Sequence, residues 1–124
     1  GRHIPIQRVG VKSVRVPVVV ASVDGPLHTV ATVNMYVSLP AGQKGTHMSR
    51  FFRLLDETRE PLCKPVLEDL MARMLKTLDA VSGQIEFDFP FFVRKSAPIS
   101  KQSSLMSYEA GFTVTCENGE NHGP

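Results

Sequence analysis

The residues best suited to chemistry gather in Lys44-Gly45-Thr46-His47-Met48-Ser49-Arg50, at the junction of a strand and a helix. Thr46 is placed to cap a helix beginning at His47. A helix start carries unpaired N–H groups and a partial positive charge, so cations there cost a few tenths to about 1 kcal/mol each. Lys44, His47 and Arg50 nevertheless all lie beside it. The conflict disappears if an anion sits there, because backbone N–H groups, helix dipole and fixed cations then converge on the same oxygens. Lys44, Thr46, His47 and Arg50 are therefore the candidate substrate-binding residues for a phosphate or triphosphate. Lys44 and Arg50 would hold phosphates, and His47 would orient the ligand or a neighbouring subunit's side chain. The competing reading pairs His47 and Arg50 with acids from another segment or subunit.

No other constellation is as suggestive. His3, His28, His47 and His122 are scattered, and Cys63 and Cys116 have no partner at zinc-holding spacing. There is no Ser-His-Asp set, no paired-carboxylate motif and no Gly-rich nucleotide loop. Glu86 and Asp88 share one strand face, expected to be solvated or at a subunit contact. The segment is thus assigned no catalytic residue and no metal ligand. The two cysteines read as small core or interface residues of a reducing compartment. No apolar run approaches a membrane span, and the basic start lacks a secretion signal, so the expected location is cytoplasmic.

The net charge of +2 is unevenly laid out. Up to Leu55 the only acid is Asp24, against Arg2, Arg8, Lys12, Arg15, Lys44, Arg50 and Arg53, whereas acids outnumber bases from Asp56 onward. Such a field suits a phosphate-bearing ligand, although uneven surface decoration explains it equally well. A nucleic-acid module is a weaker alternative, since Phe87, Phe89 and Phe91 fall on an apolar strand face without interleaved basic residues. Neither a nucleic-acid nor a membrane partner is expected.

The elements that must position these residues follow from periodicity. Val14, Val16, Val18 and Val20 alternate with Arg15, Pro17, Val19 and Ala21, which predicts a strand from about Lys12 to Ser22, with Pro17 favouring a sheet edge. Asp24-Gly25-Pro26 reverses the chain. A second strand puts Ala31, Val33, Met35, Val37 and Leu39 on one face and His28 to Ser38 on the other. Pro40-Ala41-Gly42 ends it. Met48, Phe51, Phe52 and Leu55 repeat at helical spacing, and Pro61 offers the start of a second helix. That helix carries the stripe Val66, Leu67, Leu70, Met71, Met74, Leu75 and Leu78, its methionines filling the core, and Ser82-Gly83 closes it. Ile85 to Val93 alternates as a third strand. A polar loop runs from Pro98 through Ser104, and a last strand places Tyr108, Ala110, Phe112, Val114 and Cys116 on one side.

This order, β-β-α-α-β-β, predicts an α+β module with a four-stranded antiparallel sheet and two helices on one face. One domain spans 1–124, with 118–124 as terminal loop or linker. Long strands with an uncovered face leave edges that invite self-association or barrel closure.

HTVATVNMYVSLP from His28 to Pro40 and KGTHMSRF from Lys44 to Phe51 resemble the amino-terminal half of the type IB GTP cyclohydrolases. IPIQRVGVKSVRVPV near the start and FPFFVRKSAPIS between Phe89 and Ser100 resemble it too. The resemblance implies a tunnelling-fold module, the first of two in a subunit, with modules closing into barrels and subunits into a homotetramer. It implies conversion of GTP to 7,8-dihydroneopterin triphosphate and formate, on the way to tetrahydrofolate. A divalent metal, manganese or zinc, belongs to the complete enzyme, with ligands outside this segment. The family's Cys-Pro-Cys motif is absent, since Cys116 stands in Thr-Cys-Glu, so these residues alone are expected to be inactive. The remaining alternatives are a non-catalytic scaffold half and another tunnelling-fold enzyme of pterin or nitrile-reductase type.

Overall fold

The computed structural model describes residues 5–40, 49–96 and 103–117. Its elements are β1 (Ile6–Val20), β2 (Leu27–Pro40), α1 (Ser49–Glu57), α2 (Lys64–Leu78), β3 (Ser82–Ser96) and β4 (Ser103–Glu117). The strands form one antiparallel sheet in the order β1-β2-β3-β4. The α+β module expected from the sequence is therefore present. The expected helix start at His47, the loop from Pro98 and the terminal residues 118–124 lie outside the described residues.

Period-two burial defines the core. Ala31, Val33, Met35, Val37 and Leu39 of β2, with Ile85, Phe87 and Phe89 of β3 and Val114 of β4, are buried. Phe51 and Leu55 of α1 and Leu67, Leu70, Met71, Met74, Leu75 and Leu78 of α2 join the same apolar cluster. Both helices thus cover one sheet face, and the stripe read on the second helix is the one buried. Gly83 lets α2 lie close on the sheet, since a Cβ there would stand 2.9 Å from Leu75 Cδ2.

β1 begins well before Lys12 because a bulge hides its periodicity. The register steps from Val11↔Met35 to Val14↔Val33, so Lys12 and Ser13 together face Asn34. Val9 and Val11 before the bulge, and Val16, Val18 and Val20 after it, all reach the core face. Uninterrupted alternation would have put these two sets on opposite faces. Ser13 has φ 58°, and its N–H donates to Asn34 Oδ1 at 2.7 Å. Asn34 Nδ2 in turn donates to Glu86 Oε1 at 3.1 Å, tying the bulge to β3 across β2.

Pro90 decides where the sheet divides. The β2–β3 ladder ends at Thr32↔Asp88, whereas the β3–β4 ladder continues to Ser96↔Ser103. The Thr29 hydroxyl donates to the Pro90 carbonyl at 2.7 Å, which shows that the Pro90 backbone faces β2. Proline has no N–H to offer on that side, so the ladder stops. Beyond it β3 and β4 continue as a hairpin arm on which Phe91 and Tyr108 stack, their centroids 5.6 Å apart.

The second helix departs from expectation at both ends. It starts at Lys64 with Pro65 in its first turn, and not at Pro61. Pro61 precedes Leu62, which forms a parallel bridge to Val20 and exchanges 2.8 Å hydrogen bonds with Val19 and Ala21. The helix ends at Leu78 on left-handed Asp79, φ 55°, with the Ala80 N–H donating to Leu75 O at 2.9 Å. Ser82 and Gly83, expected to close the helix, open β3 instead, because Asp79 has already supplied the left-handed turn. The reversal at Asp24-Gly25-Pro26 is as expected, with Gly25 at φ 111°.

Candidate functional site

Of the four predicted substrate-binding residues, Arg50 is described, and Lys44, Thr46 and His47 lie outside the described residues. Phe51 and Leu55 bury one side of α1 and leave Arg50 and Arg53 exposed on its first turns. Arg50 makes no ion pair with a described acid. No group of three or more His, Cys, Asp or Glu side chains comes together for a metal among the described residues. They therefore do not fit a divalent metal centre, and no chemical step is assigned to one.

His28 is exposed on β2 and lines a groove with Asp56, Arg59 and Glu60. Both cysteines are free and half-buried, Cys63 just before α2 and Cys116 on β4. Burial, reinforced by the Glu68 carboxylate, pushes the Cys116 thiol above its ordinary pKa. Cys116 is thus poorly disposed to act as a thiolate. Glu86 and Asp88 do share the face away from the core, Glu86 accepting from Asn34 and Asp88 folding over Gly111.

That helix-free face holds features the sequence pattern did not single out as a site. Arg8, Gly10 and Lys12 of β1, Tyr36 of β2 and Gln84 and Glu86 of β3 line an open groove of about 710 Å³. Gly10 is its floor: a Cβ there would fall 2.6 Å from the Tyr36 ring and from Met35 O. The glycine lets the ring of its cross-strand partner lie down over the backbone. Arg8 then stacks on that ring, its guanidinium carbon 5.1 Å from the centroid. Arg15, paired with Thr32, projects from the same face because the bulge resets the alternation. The signal available in the sequence was the run of basic residues without acids; the shared face depends on the bulge.

No helix among the described residues is long and apolar enough to cross a membrane. A family model described as Type I GTP cyclohydrolase folE2 matches residues 1–123. The chain is similar to the GTP cyclohydrolase FolE2 of Herminiimonas arsenicoxydans, 52% identical over 119 residues, covering 96% of this chain and 46% of that protein. It is 55% identical over 108 residues to the Ralstonia nicotianae FolE2, covering 87% of this chain and 40% of the relative. For the Nitrosomonas eutropha FolE2 the identity is 47% over 123 residues, with 98% and 46% covered. The chain therefore spans less than half the length of these relatives.

Proposed function

The chain belongs to the type I GTP cyclohydrolase folE2 family, and from that membership we propose that it is the first module of a type IB enzyme of the tunnelling fold. The complete enzyme hydrolyses GTP to 7,8-dihydroneopterin triphosphate and formate, feeding tetrahydrofolate synthesis in the cytoplasm. The match over residues 1–123 carries this reading. In it, Lys44, Thr46, His47 and Arg50 take the phosphate side of GTP, a role supported by Arg50 being exposed and in no ion pair with a described acid. The catalytic cysteine and the ligands of a manganese or zinc ion, which would supply an activated water, belong to the remaining part of the enzyme.

The β4 edge of the sheet is what supports assembly with further modules, the barrel and homotetramer being part of the proposal. β1 is obstructed by Pro17, by the bulge at Lys12 and Ser13, and by the Leu62 bridge. β4 carries none of these devices along Ser103–Glu117 and is the edge suited to accept another strand.

The test is formate release from GTP. The isolated chain should release none, and the subunit completed with the second half found in the relatives should release it. In the completed enzyme, Arg50→Ala should raise KM for GTP about tenfold or more, the worth of a charge-assisted phosphate contact. An unchanged KM would remove the phosphate role of Arg50, and formate release by the isolated chain at the rate of the completed enzyme would refute the division of labour.

A further inference from the structure

Beyond Pro90 the β3–β4 hairpin runs on as an arm without β2 paired to it. Its helix-free face presents Phe92 and Leu105, 53% and 57% exposed, and its other face presents Met106 and Tyr108, also exposed. Continuing the β2–β3 register past Thr32↔Asp88 sets Val93 level with Leu27, the first residue of β2. Arg94 to Ser96 therefore reach past the end of β2, by roughly 10 Å at about 3.3 Å per residue. Apolar side chains left open on both faces of one arm mark a surface that another surface closes over. The stretch from Phe91 to Tyr108 holds bases, Arg94 and Lys95 among them, and no acid.

A groove of about 570 Å³ lies at the same end of the sheet, along the opposite edge. Pro17, Val18, Leu55 and Leu62 give it an apolar floor. The segment from Asp56 to Glu60 that rims it carries three acids against Arg59. None of these four charges is in an ion pair among the described residues. Pro17 offers no N–H, and Leu62 already takes the backbone groups of Val19 and Ala21, so the groove is open to side chains and closed to an added strand.

Arm and groove match in polarity and in charge, and their placement is self-complementary. The order β1-β2-β3-β4 puts them on opposite edges at one end of the sheet. A two-fold axis normal to the sheet at that end sets the arm of each copy against the groove side of the other, which closes the pair. Because the contact is made twice, arm and groove together engage about two dozen residues of each copy, the number found in interfaces of standard size.

We propose that a second copy of this chain lays its β3–β4 arm in the groove beside β1, with Phe92 and Leu105 over the apolar floor and Arg94 and Lys95 beside Asp56 and Glu60, while receiving the arm of its partner in return. The proposal rests on the self-association put forward above and names a surface for it other than the backbone edge of β4.

Sedimentation velocity of the chain over a range of concentrations tests this, with circular dichroism checking that each variant keeps the fold. Arg94→Glu with Lys95→Glu in one variant, and Asp56→Lys with Glu60→Lys in another, all at exposed positions, should each weaken dimerisation about tenfold or more. An equimolar mixture of the two variants should recover it, because every arm then meets a groove of opposite sign. The recovery is read at about 0.15 M salt, which screens attraction between charges more than about 8 Å apart. Phe92→Ser with Leu105→Ser should weaken dimerisation with all charges retained. A chain still monomeric at about 100 µM would overturn the proposal. A dimer indifferent to both charge reversals would overturn the arm contact and leave self-association through the β4 edge standing. A mixture of the two reversed variants that stays monomeric would overturn the reciprocal geometry.

Discussion

Asn34→Ala tests whether the bulge in β1 is held by a side chain. The substitution removes the acceptor of the Ser13 N–H, at 2.7 Å, and the donor to Glu86, at 3.1 Å. Ser13 is exposed, so water replaces the first bond cheaply; the second is half-buried and dearer to lose. The half-buried bond sets the loss at about 0.5–1.5 kcal/mol, with the exposed one adding little. Ser13 at φ 58° also carries left-handed strain of about 1–2 kcal/mol, which glycine does not suffer. Ser13→Gly should therefore stabilise the chain by up to about 1 kcal/mol and reduce the penalty of Asn34→Ala when the two are combined. Urea unfolding followed by circular dichroism reads all four proteins, with an unchanged m-value expected because the buried surface stays the same. A loss below about 0.3 kcal/mol for Asn34→Ala would refute the argument, since a bulge secured by the ladder alone has no need of the amide.

Phe87→Ala empties a fully buried position in the central strand β3 and should cost about 3–5 kcal/mol in the same unfolding assay. Asp79→Gly relieves the left-handed cap of α2 and should raise stability by about 0.5–1 kcal/mol; a decrease would mean that the Asp79 side chain has a role beyond the cap. Cys116 should react with iodoacetamide only at higher pH than an unhindered peptide cysteine, and Glu68→Gln should shift its profile back downward. Because the fold favours the neutral thiol, its contribution to stability is present below the ordinary cysteine pKa and is lost as pH rises through the raised one. A reactivity profile identical to that of a peptide thiol would remove the burial argument.

The residues themselves determined the element order, the buried stripe of α2 and the core face of β2. Each rests on a period, 3.6 or 2, that one apolar face imposes whatever the surroundings. The placement of Pro17 on an edge strand was legible for the same local reason, a missing donor. The KGTHMSR segment stands out in the sequence as cations expected at a helix start, but Lys44 to Met48 lie outside the described residues.

Tertiary structure decided what local periodicity cannot encode. The bulge at Lys12 and Ser13 depends on Asn34 across the sheet, so the alternation of β1 could be followed only as far back as its first interruption. Pro61 and Pro65 are equally good helix openers by type, and the pairing of Leu62 with Val20 selects the second. Pro90 reads as an ordinary member of an alternating strand until its backbone is seen facing β2. The cation row and its groove need the register of three strands at once, and register is set by which side chains must share the core.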